Sequence, residues 1–291
     1  MLDPQLSVAG LGVGFLVGLT GMGGGALMTP LLILVFGVPP LAAVSSDLVT
    51  SLVMKPVGGL VHMRRRTIDW RLVRLLSAGS VPAALTGVLA LELLGNGTAL
   101  QDKLKTLIGV VLLFSLVATI VSGFVSRGST LHERPALRPV RVVTIGVIGG
   151  LCVGMTSVGA GSVVIALLLV THPGMRASQL VGSDLVQAIP LVAAATAGHL
   201  VFGDVRAAIS LALVIGAVPG VYLGARLSSR APAGVLKPVI MTVLLASGLA
   251  LLHVTTSVLL GVTGSWLVVR LLVAGVAGLR RRTRTLVPLS S

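Results

Sequence analysis

Seven stretches of this chain, at 41–61, 72–94, 104–125, 178–201, 207–227, 235–254 and 258–279, are long and apolar enough to span a bilayer. A crossing helix needs ~20 such residues. A chain with this pattern is an all-α polytopic membrane protein. Composition agrees: only 10% of residues are charged and the mean hydropathy is +1.06, whereas soluble domains carry about 25% charged residues. The N-terminus MLDPQLSVAG has no basic region, so no cleavable signal peptide is expected.

The net charge of +14 invites a nucleic-acid reading, but only one Tyr and two Trp are available for stacking. The arginines lie between apolar segments, where they read as topology charges. No nucleic-acid partner is expected. Cys152 is the single cysteine, so no disulfide framework or cysteine-based metal site exists within one chain. It reads as a small residue at a helix contact.

Two further apolar segments are interrupted. Arms at 6–19 and 26–35 flank GLTGMGGGA, and arms at 142–153 and 162–170 flank GMTSVGAGS. At 1.5 Å per residue these arms measure only about 13–21 Å, so none is expected to cross alone. Five glycines within Gly18–Gly25 make a poor helix, each costing roughly 1 kcal/mol relative to alanine. Non-helical backbone at membrane depth survives only where protein buries it or where it lines a wet cavity.

The two breaks are copies. Gly18, Thr20, Gly23 and Gly25 match Gly154, Thr156, Gly159 and Gly161. SSDLV at 45–49 then matches GSDLV at 182–186, His62 matches His199, IDWR resembles GDVR, and VPAALTG matches VPGVYLG, with offsets of 135–137 residues. The chain is an internal duplication. If the second broken segment turns back, the great majority of Lys and Arg outside the spans fall on one face. If it crosses, they divide evenly, ten and ten. The positive-inside rule favours turning back. Re-entrance of the first broken segment is extended from repeat symmetry, because its tail carries no Lys or Arg. The expected fold is therefore an inverted-topology internal repeat. Each half is a Gly-broken re-entrant hairpin plus three transmembrane helices, with one extra C-terminal helix. The divisions are 1–126 (first repeat), 127–141 (basic cytoplasmic linker), 142–254 (second repeat), 258–279 (additional helix) and 280–291 (basic tail). The glycine turns of the two hairpins should meet near mid-membrane.

Paired breaks in inverted halves point to a transporter substrate site. Helix N-termini beyond the turns present free N–H groups and a positive dipole end to an anion. The candidate binding residues are Thr20, Gly21, Gly23, Gly24 and Gly25 in the first break. In the second they are Thr156, Ser157, Gly159, Gly161 and Ser162. The competing reading is close helix packing through small residues.

Ionisable residues within spans are functional candidates by default. Asp47 and Asp184 share one repeat position. They are candidate proton carriers, or else they bind backbone N–H groups at the hairpin ends. Lys55 is about 80° round the helix from Asp47 and has no basic counterpart in the second copy. It attracts an anionic substrate, or it pairs with Asp47 or snorkels. His62 and His199 are candidates for a gate or proton relay, or are ordinary interfacial histidines. Arg270, in the ninth segment, reads as paired or snorkelling. No Walker loop, HExxH motif, nucleophile triad or cofactor fingerprint occurs, so neither an enzyme nor a bound cofactor or metal is expected.

The order GMGGGALMTP, SSDLVTSLVMKPVGGLVH, RRRTIDWRLV, GSVPAALTG, with its second copy through GSDLVQAIPLVAAATAGHLVFGDVR, resembles the TauE/SafE family of sulfite exporters. The likeness runs through about residue 252. Asp47 with Lys55 resembles a subgroup pattern in which threonines stand where this chain has Ser46 and Met54. The resemblance implies secondary transport of small sulfur-containing anions, such as sulfite or organosulfonates, coupled to protons. It also implies a bacterial cytoplasmic membrane, in which the positive-inside rule puts the Arg-rich loops and C-terminus on the cytoplasmic side. Its implied partners are the anion, protons and lipid; a homodimer is a further candidate arrangement. The alternatives are another small anion, a passive anion channel, a membrane scaffold, or a cation transporter using Asp47 and Asp184.

Overall fold

The computed structural model describes residues 3–20, 23–64, 68–93, 97–128, 138–172, 175, 177–227 and 233–267. All regular structure among them is helical. In chain order the helices are α1 (Pro4–Thr20), α2 (Gly25–Leu34), α3 (Pro40–Arg64), α4 (Trp70–Leu93), α5 (Gly97–Gly128), α6 (Pro139–Thr156), α7 (Val163–Thr171), α8 (Ala177–Phe202), α9 (Ala207–Leu227) and α10 (Ala233–Leu251). An eleventh, α11 (Thr256–Leu267), opens the last apolar segment. Five helices are long and apolar enough to cross a membrane: α4, α5, α6, α8 and α9. The multi-pass reading stands on them.

One expectation changes. The first arm of the second break starts at Pro139 and spans 18 residues, about 27 Å of helix, rather than beginning at 142. Pro139 at the first helical position starts the helix earlier, since proline's fixed φ suits that place. Length alone would let α6 cross. The short helices α2 and α7, of 10 and 9 residues, would not.

Helix partners follow the duplication. α1 packs on α9, and its repeat counterpart α6 packs on α4; α5 packs on α7, and α10 on α2. The first two contacts are glycine ladders. Gly10, Gly14 and Gly18 lie against the backbone of Leu213, Ala217 and Val221, while Gly146, Gly150 and Gly154 lie against Leu76, Ser80 and Ala84. A Cβ at any of these six glycines would collide with facing backbone, so the small residues let the helices touch. Gly18 and Gly154 thus belong to helix packing rather than to the breaks. Residue numbers rise together across each ladder, so α1 runs parallel to α9 and α6 parallel to α4.

α3 and α8 occupy equivalent places in the two copies and pack on each other. Ser45 near the start of α3 bonds His199 near the end of α8. Gly59 near the end of α3 faces Val186 and Ile189 in the first half of α8. These two helices therefore run antiparallel.

At the second break, the start of α6 and the end of α7 come together. The backbone N–H of Arg138 donates to Nε2 of His172 at 3.3 Å.

Candidate anion site at the paired helix breaks

The two glycine breaks meet. Gly23 lies against the carbonyl of Ala160, and Gly25 against the carbonyl of Ser157, each so closely that a Cβ would overlap the oxygen. Gly23, Gly24, Gly25, Thr156, Ser157, Gly159, Gly161 and Ser162 are all buried. Ser157 and Gly161 take left-handed backbone, with φ of 59° and 89°. Ser157 closes α6 in that conformation, a common helix ending. Gly21 lies outside the described residues.

Asp47 is fully buried at this junction. Its Oδ2 accepts hydrogen bonds from Ser157 Oγ at 2.6 Å and from Thr29 Oγ1 at 3.1 Å. One donor comes from the opposite half's break and the other from α2. Its Oδ1 is buried with no hydrogen-bond partner among the described residues, and lies near Gly24 at the start of α2.

Asp184 is held differently. Gln187 Nε2 donates to its Oδ1 at 3.2 Å, and Gln187 Oε1 accepts from Ser80 Oγ on α4 at 3.2 Å. The backbone of Gly161 lies against the same carboxylate. Each acid therefore stands by the N-terminus of its own half's short helix, where a negative charge is favoured.

Lys55 is 3% exposed. Its ammonium makes no hydrogen bond, and no ion pair within 4.0 Å, to any described residue, yet its charge acts on both Asp184 and Asp47. A buried ammonium with unused donors is a candidate partner for an anion's oxygens.

Other candidates are tied up locally. Thr20 Oγ1 donates to Leu16 O, and Thr156 Oγ1 to Cys152 O, both at 2.7 Å. These are bonds back to their own helices. Val158 N also donates to Thr156 Oγ1 at 3.1 Å, so Thr156 shapes the turn. Ser162 Oγ donates to Ser115 Oγ on α5 at 3.2 Å. His199 is fully buried and its ring joins Ser45 Oγ to the Gly154 carbonyl, both at 2.8 Å. The Gly154 carbonyl only accepts, so Nε2 carries a proton. The side chain of His62 and all of Arg270 lie outside the described residues.

Several partners were not singled out from the sequence. Thr29, Ser80, Ser115 and Gln187 reach the site from α2, α4, α5 and α8. Ser46 and Ser183, matched in the duplicated SDLV motif, anchor the opposite half's connectors. Ser46 Oγ accepts from Arg206 N at 3.3 Å, and Ser183 Oγ from Asp69 N at 2.8 Å. The repeat of the serine was the one available signal.

These features define a polytopic helical membrane protein whose two broken helices meet around buried charges. The chain belongs to the family described as "Sulfite exporter TauE/SafE", which matches residues 6–251. It is 39% identical over 257 residues to the "Probable membrane transporter protein YjnA" of Bacillus subtilis (strain 168), covering 86% of this chain and 100% of that protein. It is 26% identical over 265 residues to the "Probable membrane transporter protein MJ0441" of Methanocaldococcus jannaschii, covering 87% and 96%. No solved structure gives a significant match. Family and relatives support a membrane transporter rather than an enzyme.

Proposed function

We propose that this protein is a proton-coupled secondary transporter that exports small sulfur-containing anions, such as sulfite or organosulfonates, by alternating access. One observation carries the reading: Lys55 is buried without a hydrogen-bond partner among the described residues, and its charge acts on two buried carboxylates, one of which, Asp47, bonds Ser157 where the glycine breaks meet. The anion's oxygens take the free ammonium donors, and the carboxylates supply the coupling proton. The family name supports the cargo class.

Alternating access rests on two inverted repeats, 1–126 and 142–254, rocking about the shared site. Support for inversion comes from α3 and α8, which are repeat counterparts yet run antiparallel. The Arg138–His172 hydrogen bond supports a second hairpin that returns to its own face. In this reading the Arg-rich connectors face the cytoplasm of a bacterial cell.

The test is sulfite flux in proteoliposomes with and without an imposed pH gradient. Wild type should give saturable, proton-stimulated flux. Lys55→Ala should lower it by roughly tenfold or more, as expected when a charged hydrogen-bond partner is removed. Undiminished flux in Lys55→Ala would remove the anion role from this residue.

A further inference from the structure

We propose that the serines of the duplicated SDLV motif anchor two gates at opposite ends of the α3–α8 pair, and that the gate at Ser45 and Ser46 is the tighter, so the resting transporter opens toward the Asp69 end. This rests on the alternating-access reading above and gives that reading its gates and its resting direction.

Both gates join one half to the other. In the first, the connector 203–206 of the second half closes on the start of α3. Asp204 N donates to Ser45 Oγ at 3.2 Å and Arg206 N to Ser46 Oγ at 3.3 Å. Ser210 Oγ, in the first turn of α9, donates to Ser46 O at 3.5 Å. In the second, the matching connector of the first half closes on the start of α8. Asp69 N donates to Ser183 Oγ at 2.8 Å, and Gln179 Nε2 to Asp69 Oδ2 at 3.0 Å. Because α3 and α8 run antiparallel, the start of each lies beside the end of the other. The two clusters therefore stand at opposite ends of the pair. One half cannot swing from the other at either end without breaking that end's bonds. The released N–H groups then need water, so each cluster admits solvent from its own face. Both are shut in this structure.

The gates are not equal. Gly182 stands where the first copy has Ser45, and it has no hydroxyl to offer. At the first gate, His199 Nε2 donates to the Gly154 carbonyl and its Nδ1 meets Ser45 Oγ, both at 2.8 Å. With the Asp204 N–H also on Ser45, a continuous chain runs from the end of α6 at the second break to the connector. Gly203 is pressed onto this chain. A Cβ there would overlap Ser45 Oγ and the His199 carbonyl, whereas its counterpart in the first copy is Ile68. Ser45, Ser46 and His199 are fully buried; Asp69 and Gln179 are half-buried. Hydrogen bonds away from water are stronger, and leaving their partners unmade costs more. The Asp69 end therefore parts first. That end carries the Arg-rich connectors, which face the cytoplasm in the reading above, so a resting exporter waits open to its cargo.

The sidedness of thiol labelling on the full chain decides this. In a Cys152→Ser background, Ser51→Cys puts a thiol at a buried position midway along α3. A membrane-impermeant thiol reagent is applied to intact cells and to inside-out membrane vesicles. Labelling should be several-fold faster in the vesicles. Ser45→Ala, which removes the hydroxyl, and Gly203→Ala, which wedges the first gate, should each shift the ratio several-fold toward intact cells. Ser183→Ala should shift it the other way. General loosening of the fold would raise both rates together, so opposite shifts separate gating from damage. Faster labelling in intact cells before any gate is altered overturns the resting direction. A ratio that none of the three variants moves, or that Ser45→Ala and Ser183→Ala move the same way, overturns the gates. Labelling needs no cargo, so wild type that carries no sulfite refutes the cargo in the proposed function and leaves this result standing.

Discussion

At the scale of single residues, the glycines that create the junction differ from a glycine that faces open space. Gly23 and Gly25 have carbonyl oxygens of the other half where a Cβ would go, and these are backbone atoms that cannot swing aside. Gly23→Ala or Gly25→Ala should therefore destabilise the protein by about 1–3 kcal/mol through overpacking. The expected signature is a lower thermal midpoint in detergent together with impaired transport. Gly12 lies in α1 with nothing within 4 Å of its would-be Cβ. Gly12→Ala should be neutral or stabilising by about 0.5–1 kcal/mol, since alanine is the better helix former. A Gly23→Ala variant as stable as Gly12→Ala would show that the breaks do not meet tightly. The breaks were legible because glycine runs in apolar segments have few uses. What they touch was not. Ser157 reaches Asp47 across 110 residues of sequence, and no local pattern encodes a contact of that separation. Thr20 and Thr156 were legible as repeated hydroxyls, but a hydroxyl does not announce that it bonds its own helix.

At the scale of elements, helix ends carry the information that periodicity lacks. α4 begins at Asp69, whose Oδ1 accepts from the N–H groups of Arg71 and Leu72 at 3.0 and 3.1 Å, as an N-cap does. Its Oδ2 accepts from Gln179 on α8 at 3.0 Å, so one carboxylate both starts a helix and ties the copies together. IDWR was legible as a repeat, but its cap and its strap needed three dimensions. The end of α7 offers a pH test. His172 Nε2 accepts from Arg138 N, and Thr171 Oγ1 meets Nδ1 at 2.9 Å. Burial, then the charges of Arg141 and Arg138, push its pKa below the usual histidine value of 6.5. The native state thus prefers the neutral ring. Its contribution to stability is complete above about pH 6.5 and is lost as pH falls through the lowered native value, because the unfolded chain binds the proton more readily. The thermal midpoint of wild type should drop more between pH 7 and the acidic range than that of His172→Gln. Equal slopes would mean that protonation does not weaken the hairpin mouth.

At the scale of the whole molecule, the decisive question is which way each copy faces. If both broken segments crossed, α3 and α8 would be parallel, since every later helix would keep its counterpart's direction. They are antiparallel, while α1 runs with α9 and α4 with α6. The inverted-repeat reading proposed above accounts for all three relations if each broken segment returns to the face it entered. Length obscured this, because an 18-residue α6 is long enough to cross by itself. Arginine distribution and helix direction are independent observations, and both support the proposed inversion. The arrangement makes a prediction about faces. With Cys152→Ser as background, single cysteines are placed at exposed Arg74, Arg138, Asp102 and Arg206, and at half-buried Met175. In intact cells, a membrane-impermeant thiol reagent should reach Asp102→Cys and Arg206→Cys. It should miss Arg74→Cys, Arg138→Cys and Met175→Cys until the membrane is permeabilised. Arg138 and Met175 form the critical pair, since they bracket α6 and α7. Labelling of one but not the other in intact cells would mean that the second broken segment crosses, and the proposed inversion of the two repeats would then fall.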